Sequence, residues 1–289
     1  MIEEISNHES EVCWREYGNS QGTPVFYFHG MPGSSLEPSL ANHFAVRENI
    51  RLISPERPGY GGSALKADMA LADWPPIILK LANLLNIDRF SIIGFSGGGP
   101  YALACAHWLP DRVDRLVLVG SMAPFASEPM QNHINAGFKP LYELSITDFP
   151  AALAQVAQLC PSAEGLFGIM ESALSDPDKA VFQNTDIAAN YRKNLTRAIT
   201  DGVQGLTHDL RILSSPWGFE LEAIRCPVVI WHGCKDNNVG VAIGEYLNAS
   251  LPVVVDSHFL EGGGHYLLFS RWVEILHATN SDNDTRPLR

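Results

Sequence analysis

Phe90-Ser91-Ile92-Ile93-Gly94-Phe95-Ser96-Gly97-Gly98-Gly99-Pro100-Tyr101-Ala102-Leu103-Ala104-Cys105-Ala106 is the stretch whose reading decides the fold. An apolar run reads as a buried strand, and the Ala-rich run after the glycines reads as a helix. Between them stands G-x-S-x-G, Gly94 to Gly98. A serine on a sharp strand-to-helix turn projects its hydroxyl above the sheet, and small neighbours let the turn close. Ser96 is therefore the candidate nucleophile. A phosphate-cradling loop is the competing reading of Gly97-Gly98-Gly99, but the Lys-Ser/Thr of such a loop is missing. Pro100 falls where a backbone N–H would ordinarily bond the Ser96 carbonyl, so the elbow is expected to keep that carbonyl out of the helix ladder. The N–H groups of Gly97 and its neighbours, aided by the helix dipole, suit a developing negative charge.

A nucleophilic serine needs a base, and the base needs an orienting acid. Pro227-Val228-Val229-Ile230-Trp231-His232-Gly233 reads as a buried strand followed by the polar loop Cys234-Lys235-Asp236-Asn237-Asn238, which makes Asp236 the candidate acid. Val253 to Leu260 reads as a last strand, and His265 behind Glu261-Gly262-Gly263-Gly264 is the candidate base. Both residues follow the C-terminal ends of strands, where open α/β sheets bind ligands. The alternatives are His258, which lies inside the last strand pattern, and Asp256 as a strand-end acid, for which Asp236 has the better loop context. His232 reads as a buttress of the acid loop.

Upstream, the apolar strand Pro24-Val25-Phe26-Tyr27-Phe28 runs into His29-Gly30-Met31-Pro32-Gly33-Ser34. With this HG-x-P-G loop, the elbow, a post-strand Asp and a late Gly-His, in that order, the chain resembles the α/β-hydrolases over nearly its whole length. Arg57-Pro58-Gly59-Tyr60-Gly61-Gly62-Ser63 resembles the loop after the next strand in that family. The resemblance implies oxyanion donors at the backbone N–H groups of Met31 and Gly97, with His29 and Gly30 as supports, and no cofactor.

Bulk properties fit a soluble enzyme of this size. The chain has 289 residues, 46% hydrophobic and 18% charged, enough for one large core or a core with a small second unit. No apolar run approaches the roughly 20 residues that span a bilayer. The acidic start Met1-Ile2-Glu3-Glu4 lacks the layout of a signal peptide. Five widely spaced cysteines read as free thiols of a cytoplasmic protein. A formal charge of −12 speaks against nucleic acid or an anionic membrane as partner. A small-molecule substrate, no metal, and a monomer or homodimer are the expectations.

Strands and helices alternate along the chain. Glu11 to Gly18 reads as an edge strand, Ser39 to Glu48 as a helix, Ile50 to Pro55 as a strand, and Asp73 as the N-cap of a helix with Pro75 and Pro76 in its first turn. Asp114 to Gly120 continues the pattern. The expected fold class is thus α/β, a mostly parallel sheet with helices on both faces. The alternation breaks at Met122 and returns at Pro227. This divides the chain into a core, residues 1–121 and 218–289, and an inserted helical cap, residues 122–217, over the catalytic loops. The polar tail from Thr279 onward is expected to fray.

The cap is expected to choose the substrate. Most of its aromatics must pack its own core; Phe125, Phe138, Phe149 and Trp217 are the first candidates to line a pocket. Glu143, Asp148, Glu164 and Glu171 would hold a substrate amine if they pointed inward, and are solvated otherwise. Hydrolysis of a small, partly apolar ester is the expected reaction. The loop also resembles that of proline-type aminopeptidases, but Met31 stands where they commonly carry glycine. Carbon–carbon bond hydrolases and haloperoxidases share Ser-Asp-His, whereas Ser96 argues against epoxide and haloalkane hydrolases. A non-catalytic ligand receptor or scaffold is the remaining alternative.

Overall fold

A computed structural model of the chain describes residues 4–5 and 11–280. Its sheet is formed by β1 (Glu4–Ile5), β2 (Trp14–Gly18), β3 (Thr23–Phe28), β4 (Ile50–Pro55), β5 (Phe90–Phe95), β6 (Val113–Val119), β7 (Val228–Gly233) and β8 (Val254–Leu260). The order is β1-β2-β4-β3-β5-β6-β7-β8. Only the pairings of β1 with β2 and of β2 with β4 are antiparallel; every pairing from β4 to β8 is parallel. Parallel strands need both faces covered. That is why β5, at the centre, is buried at all six positions.

The core helices are α1 (Asn42–Arg47), α2 (Trp74–Leu84) and α3 (Gly99–Trp108). In α2 the buried positions Ile77, Ile78, Leu81 and Ala82 recur at helical spacing and form one apolar face. Asp73 holds the N-cap position as expected, but its side chain makes no cap bond, because Pro75 and Pro76 at the second and third helical positions carry no N–H. Its carboxylate instead accepts the Ala70 N–H at 2.8 Å and closes a short 3-10 turn that precedes the helix. The helix α3 is buried from Gly99 to Ala106, as befits an element with protein on all sides.

Between β6 and β7 lie α4 (Glu128–His133), α5 (Lys139–Thr147), α6 (Phe149–Leu159), α7 (Ala163–Ser172), α8 (Asp176–Phe182), α9 (Thr185–Ala198) and α10 (Gln204–Ser214). They form the inserted cap. Prolines open α4, α5, α6 and α8, where a missing N–H costs nothing. Side chains of Ser127, Asp148, Ser162 and Asn184 cap α4, α6, α7 and α9. The fold closes with α11 (Val241–Ser250) and α12 (Trp272–His277). Thr279 is not frayed: it is buried, and its carbonyl accepts the Ser91 hydroxyl at 2.8 Å. The rest of the expected fraying tail, from residue 281, lies outside the described residues. Among the described residues, no helix is long and apolar enough to cross a membrane.

Candidate active site

Ser96 directly follows the central strand and lies in the left-handed region, with φ of 51°. A side-chain-bearing residue is strained there, and such strain gathers at working sites. What forces the conformation is the tightness of the turn: a Cβ on Gly98 would stand 2.1 Å from the Phe28 carbonyl oxygen. The first helical turn after Ser96 is 3-10, and the Gly99 N–H bonds the Ser96 carbonyl. The Met122 N–H also approaches it, at 3.4 Å. Pro100 thus removes the α-type partner, as expected, and a 3-10 donor and a donor from outside the helix take its place.

The late Gly-His loop brings His265 above the elbow. Its Nε2 lies 3.0 Å from Ser96 Oγ, and its Nδ1 lies 2.7 Å from Asp236 Oδ2. The other Asp236 oxygen accepts the N–H groups of Asn238 and Val239, both at 2.8 Å, so the acid loop folds around its own carboxylate. All three side chains are buried. Burial is the largest influence on His265 and disfavours its cation. The charge and hydrogen bond of Asp236, helped by Asp178 and Glu37, outweigh it and raise the His265 pKa above the ordinary histidine range. Asp256 is exposed and pairs with His258 at 3.0 Å, away from this cluster. His232 lies beneath the acid loop: Nε2 donates to the Val239 carbonyl at 2.8 Å, and burial lowers its pKa, so the ring is neutral.

The loop after β3 runs beside the elbow. A Cβ on Gly97 would meet Met31 Cβ at 2.7 Å and Met31 N at 3.4 Å, so these two residues flank the serine side by side. His29 is fully buried; its Nε2 accepts the Arg57 N–H at 3.2 Å, and burial together with the Arg57 charge pushes its pKa down. The Gly30 N–H donates to Glu37 Oε2 at 2.7 Å, and the Tyr27 hydroxyl donates to the same oxygen at 2.8 Å. Burial pushes the Glu37 carboxyl up to about 7, against those two donors.

Sequence reasoning missed the residues that hold this loop and His265 from the cap side. Arg57 donates to the carbonyls of His29 and Gly30 at 2.6 and 2.8 Å and pairs with Asp209 of α10 at 2.6 Å. The Tyr60 and Tyr101 hydroxyls donate to the same carboxylate at 2.9 and 2.6 Å. The buried Asn194 of α9 accepts the Ser34 N–H at 2.8 Å. Asp178 of α8 accepts the N–H groups of His265 at 3.0 Å and Tyr266 at 2.8 Å. The loop Arg57–Ser63 was visible as a motif; the three cap partners had no local signature.

Above Ser96 and His265 lies a cavity of about 90 Å³. The core supplies Met31 and Pro32, and the cap supplies an apolar roof that includes Phe138, Tyr142, Val156 and Met170. Of the four aromatics expected to line it, Phe138 does. The other three pack elsewhere and correct that expectation: Phe125 stacks on Tyr142, Phe149 stands edge-on to His208, and Trp217 leans on Phe219 while donating to the Leu213 carbonyl. They are among the bulky rings the cap needs to fill its own interior and its seam with the core. Glu143, Asp148, Glu164 and Glu171 are all exposed, so the solvated reading holds for them.

Sheet order, elbow and inserted helices define the class, an α/β-hydrolase. The chain belongs to the alpha/beta hydrolase fold family, whose model matches residues 23–271. It is 26% identical over 229 residues to the hydrolase YcgS of Bacillus subtilis, covering 77% of this chain and 78% of that one. It is 30% identical to a proline iminopeptidase of Neisseria meningitidis over 148 residues, half of this chain and 47% of that protein. An esterase from a Rhodococcus species shares the fold with a TM-score of 0.69 at 18% identity, covering 96% of this chain and 97% of that one.

Proposed function

We propose that this hydrolase is a serine esterase acting on small, partly apolar carboxylic esters through an acyl-enzyme. The observation that carries the reading is the unbroken relay from Ser96 Oγ through His265 to Asp236, at 3.0 and 2.7 Å, opening into an apolar cavity. His265 takes the Ser96 proton as Oγ attacks the ester carbonyl. The backbone N–H groups of Met31 and Gly97 receive the oxyanion. Asp236 holds the ring and stabilises its cation. His265 then protonates the leaving alcohol, and water, deprotonated by the same ring, releases the acid.

The cap, taken as residues 122–217, selects the substrate and leaves the chemistry to the core. Ester cleavage is favoured over aminopeptidase action because, among the described residues, no Asp or Glu side chain lines the cavity to hold a substrate amine. The cavity is also small next to the roughly 300–1,000 Å³ of drug-sized sites, which favours short acyl chains. The test is a panel of p-nitrophenyl esters of graded chain length with aminoacyl-anilides alongside. Ester turnover, fluorophosphonate labelling of Ser96, and loss of both in a folded Ser96→Ala protein are expected. Preferential anilide cleavage, or undiminished turnover by Ser96→Ala, would overturn the reading.

A further inference from the structure

Asn238 is a second polar feature of the cavity, and the relay does not use its side chain. It lies on the acid loop, is 6% exposed, and shares the cavity wall with Ser96 and His265. Neither Oδ1 nor Nδ2 has a hydrogen-bond partner. Among the described residues, Asn238 is the one side chain with both properties, orphaned polar atoms and a place on the catalytic cavity. A buried, unbonded amide costs stability and calls for an explanation. The loop gives none. Its backbone is fixed without the side chain: the Asn238 N–H donates to Asp236 at 2.8 Å, its carbonyl accepts the Asn135 N–H at 3.0 Å, and Val239 bridges Ile134. A leucine or valine would satisfy the same backbone and match the apolar wall around it.

We propose that Asn238 is a specificity-determining residue that binds a neutral hydrogen-bonding group of the substrate. The claim rests on the esterase reading and narrows its substrate class: an ester with an apolar body and one hydroxyl or amide a few atoms from the scissile carbonyl. A carboxamide offers a donor edge and an acceptor edge, and a hydroxyl or secondary amide can use both. A charged group fits badly, because among the described residues no Lys, Arg, Asp or Glu lines the cavity to pair with it. The unpaired amide is then a binding element kept at the expense of the free protein's stability.

The experiment uses isosteric substrate pairs that differ by hydroxyl against methyl. The acyl pair is the p-nitrophenyl esters of β-hydroxybutyrate and isovalerate; the alcohol pair is the acetate of 3-hydroxybutanol and isoamyl acetate. The wild-type protein is expected to favour the hydroxylated member of one pair by roughly 10- to 100-fold in kcat/KM. Asn238→Leu is expected to collapse or invert that ratio, and the ratio cancels any general loss of activity. It should also raise the Tm of the free protein. Calorimetric binding of the same pairs to Ser96→Ala, with and without Asn238→Leu, reads the preference without turnover. A failure of the esterase reading would therefore appear separately, as residual hydrolysis by Ser96→Ala. No preference for a hydroxyl in either pair, or a ratio unmoved by Asn238→Leu, overturns the proposal. A lower Tm with an unmoved ratio would make the amide structural.

Discussion

The sheet and the helices inserted into it both grip His265, in different ways. The core grips the ring: Asp236, at the end of a buried strand, bonds Nδ1 at 2.7 Å. The cap grips the backbone: Asp178, at the start of α8, takes the N–H groups of His265 and Tyr266. One carboxylate can set the charge and tautomer of the imidazole. The other chiefly sets where the residue sits, and adds only a lesser push toward the cation. The same division recurs at the loop beside the elbow, where Asp209 and Asn194 of the cap hold Arg57 and Ser34 and touch no reacting position. The difference teaches that the cap is two things at once: an apolar roof over the cavity and a set of buried polar pins on the loops beneath it.

Removing the core grip should have the largest effect. Asp236→Asn leaves the ring without a partner that selects its tautomer and stabilises its cation. We expect kcat on p-nitrophenyl acetate to fall by a factor on the order of 10⁴, with the fold intact by circular dichroism. If Asp256→Asn produced the large loss instead, the division between core and cap would be drawn around the wrong acid.

Removing the cap grip should act on stability and on all substrates alike. Asp178→Ala strands two buried N–H donors, each worth about 1–3 kcal/mol, so a loss of roughly 2–6 kcal/mol is expected. Chemical denaturation measures it, with Asp176→Ala as the control on the same helix, since Asp176 is exposed and pairs only with Lys179. The order of substrate preference should survive. Equal stability of the two variants would remove Asp178 from the set of pins.

The roof should do the opposite. Phe138→Ala widens the cavity and should shift the chain-length ranking of esters by about 10- to 200-fold, at roughly 1–3 kcal/mol per methylene, with acetyl esters least affected. Trp217→Ala, away from the cavity, should lower stability by about 3–5 kcal/mol and leave the ranking in place. A ranking that follows Trp217 and not Phe138 would mean that the cap selects through its packing rather than through its lining.

These contrasts also mark what the sequence could disclose. Strands such as Phe90–Phe95 announce themselves because a central parallel strand must be apolar on both faces. The elbow, the acid loop and the late Gly-His stand out because strand-end turns carry glycine and polar residues in linear order. Ser96, His265 and Asp236 are accordingly legible in the sequence, and the structure brings them within hydrogen-bond distance. The cap was legible only as helices. Phe125, Phe138, Phe149 and Trp217 are alike in composition, and which of them faces the cavity depends on helix packing that no local pattern encodes. Asp178, Asp209 and Asn194 look like ordinary polar helix residues until the fold presses them onto backbone N–H groups and a buried arginine. Asp73 is legible at short range: the residues two and three after it are Pro75 and Pro76, which carry no N–H, so its carboxylate turns back to the Ala70 N–H.

The smallest expected effect concerns pH, and it separates the two carboxylates at His265 most finely. The ring must be neutral to accept the Ser96 proton, so kcat/KM should fall as pH drops through the His265 pKa. That pKa is raised above 6.5, with Asp236 the strongest influence upward and Asp178 a lesser one. The acid limb of the wild-type profile should therefore lie above pH 6.5. Asp236→Asn removes the main support for the cation while burial still opposes it, so the limb should move below 6.5 in what activity remains. Asp178→Asn, which keeps an oxygen for one N–H and drops the charge, should move the limb in the same direction and by less. Profiles of kcat/KM from pH 5 to 9 on one ester would test this. A wild-type limb below 6.5, or a larger displacement from Asp178→Asn than from Asp236→Asn, would mean that the cap and not the core sets the charge of the base.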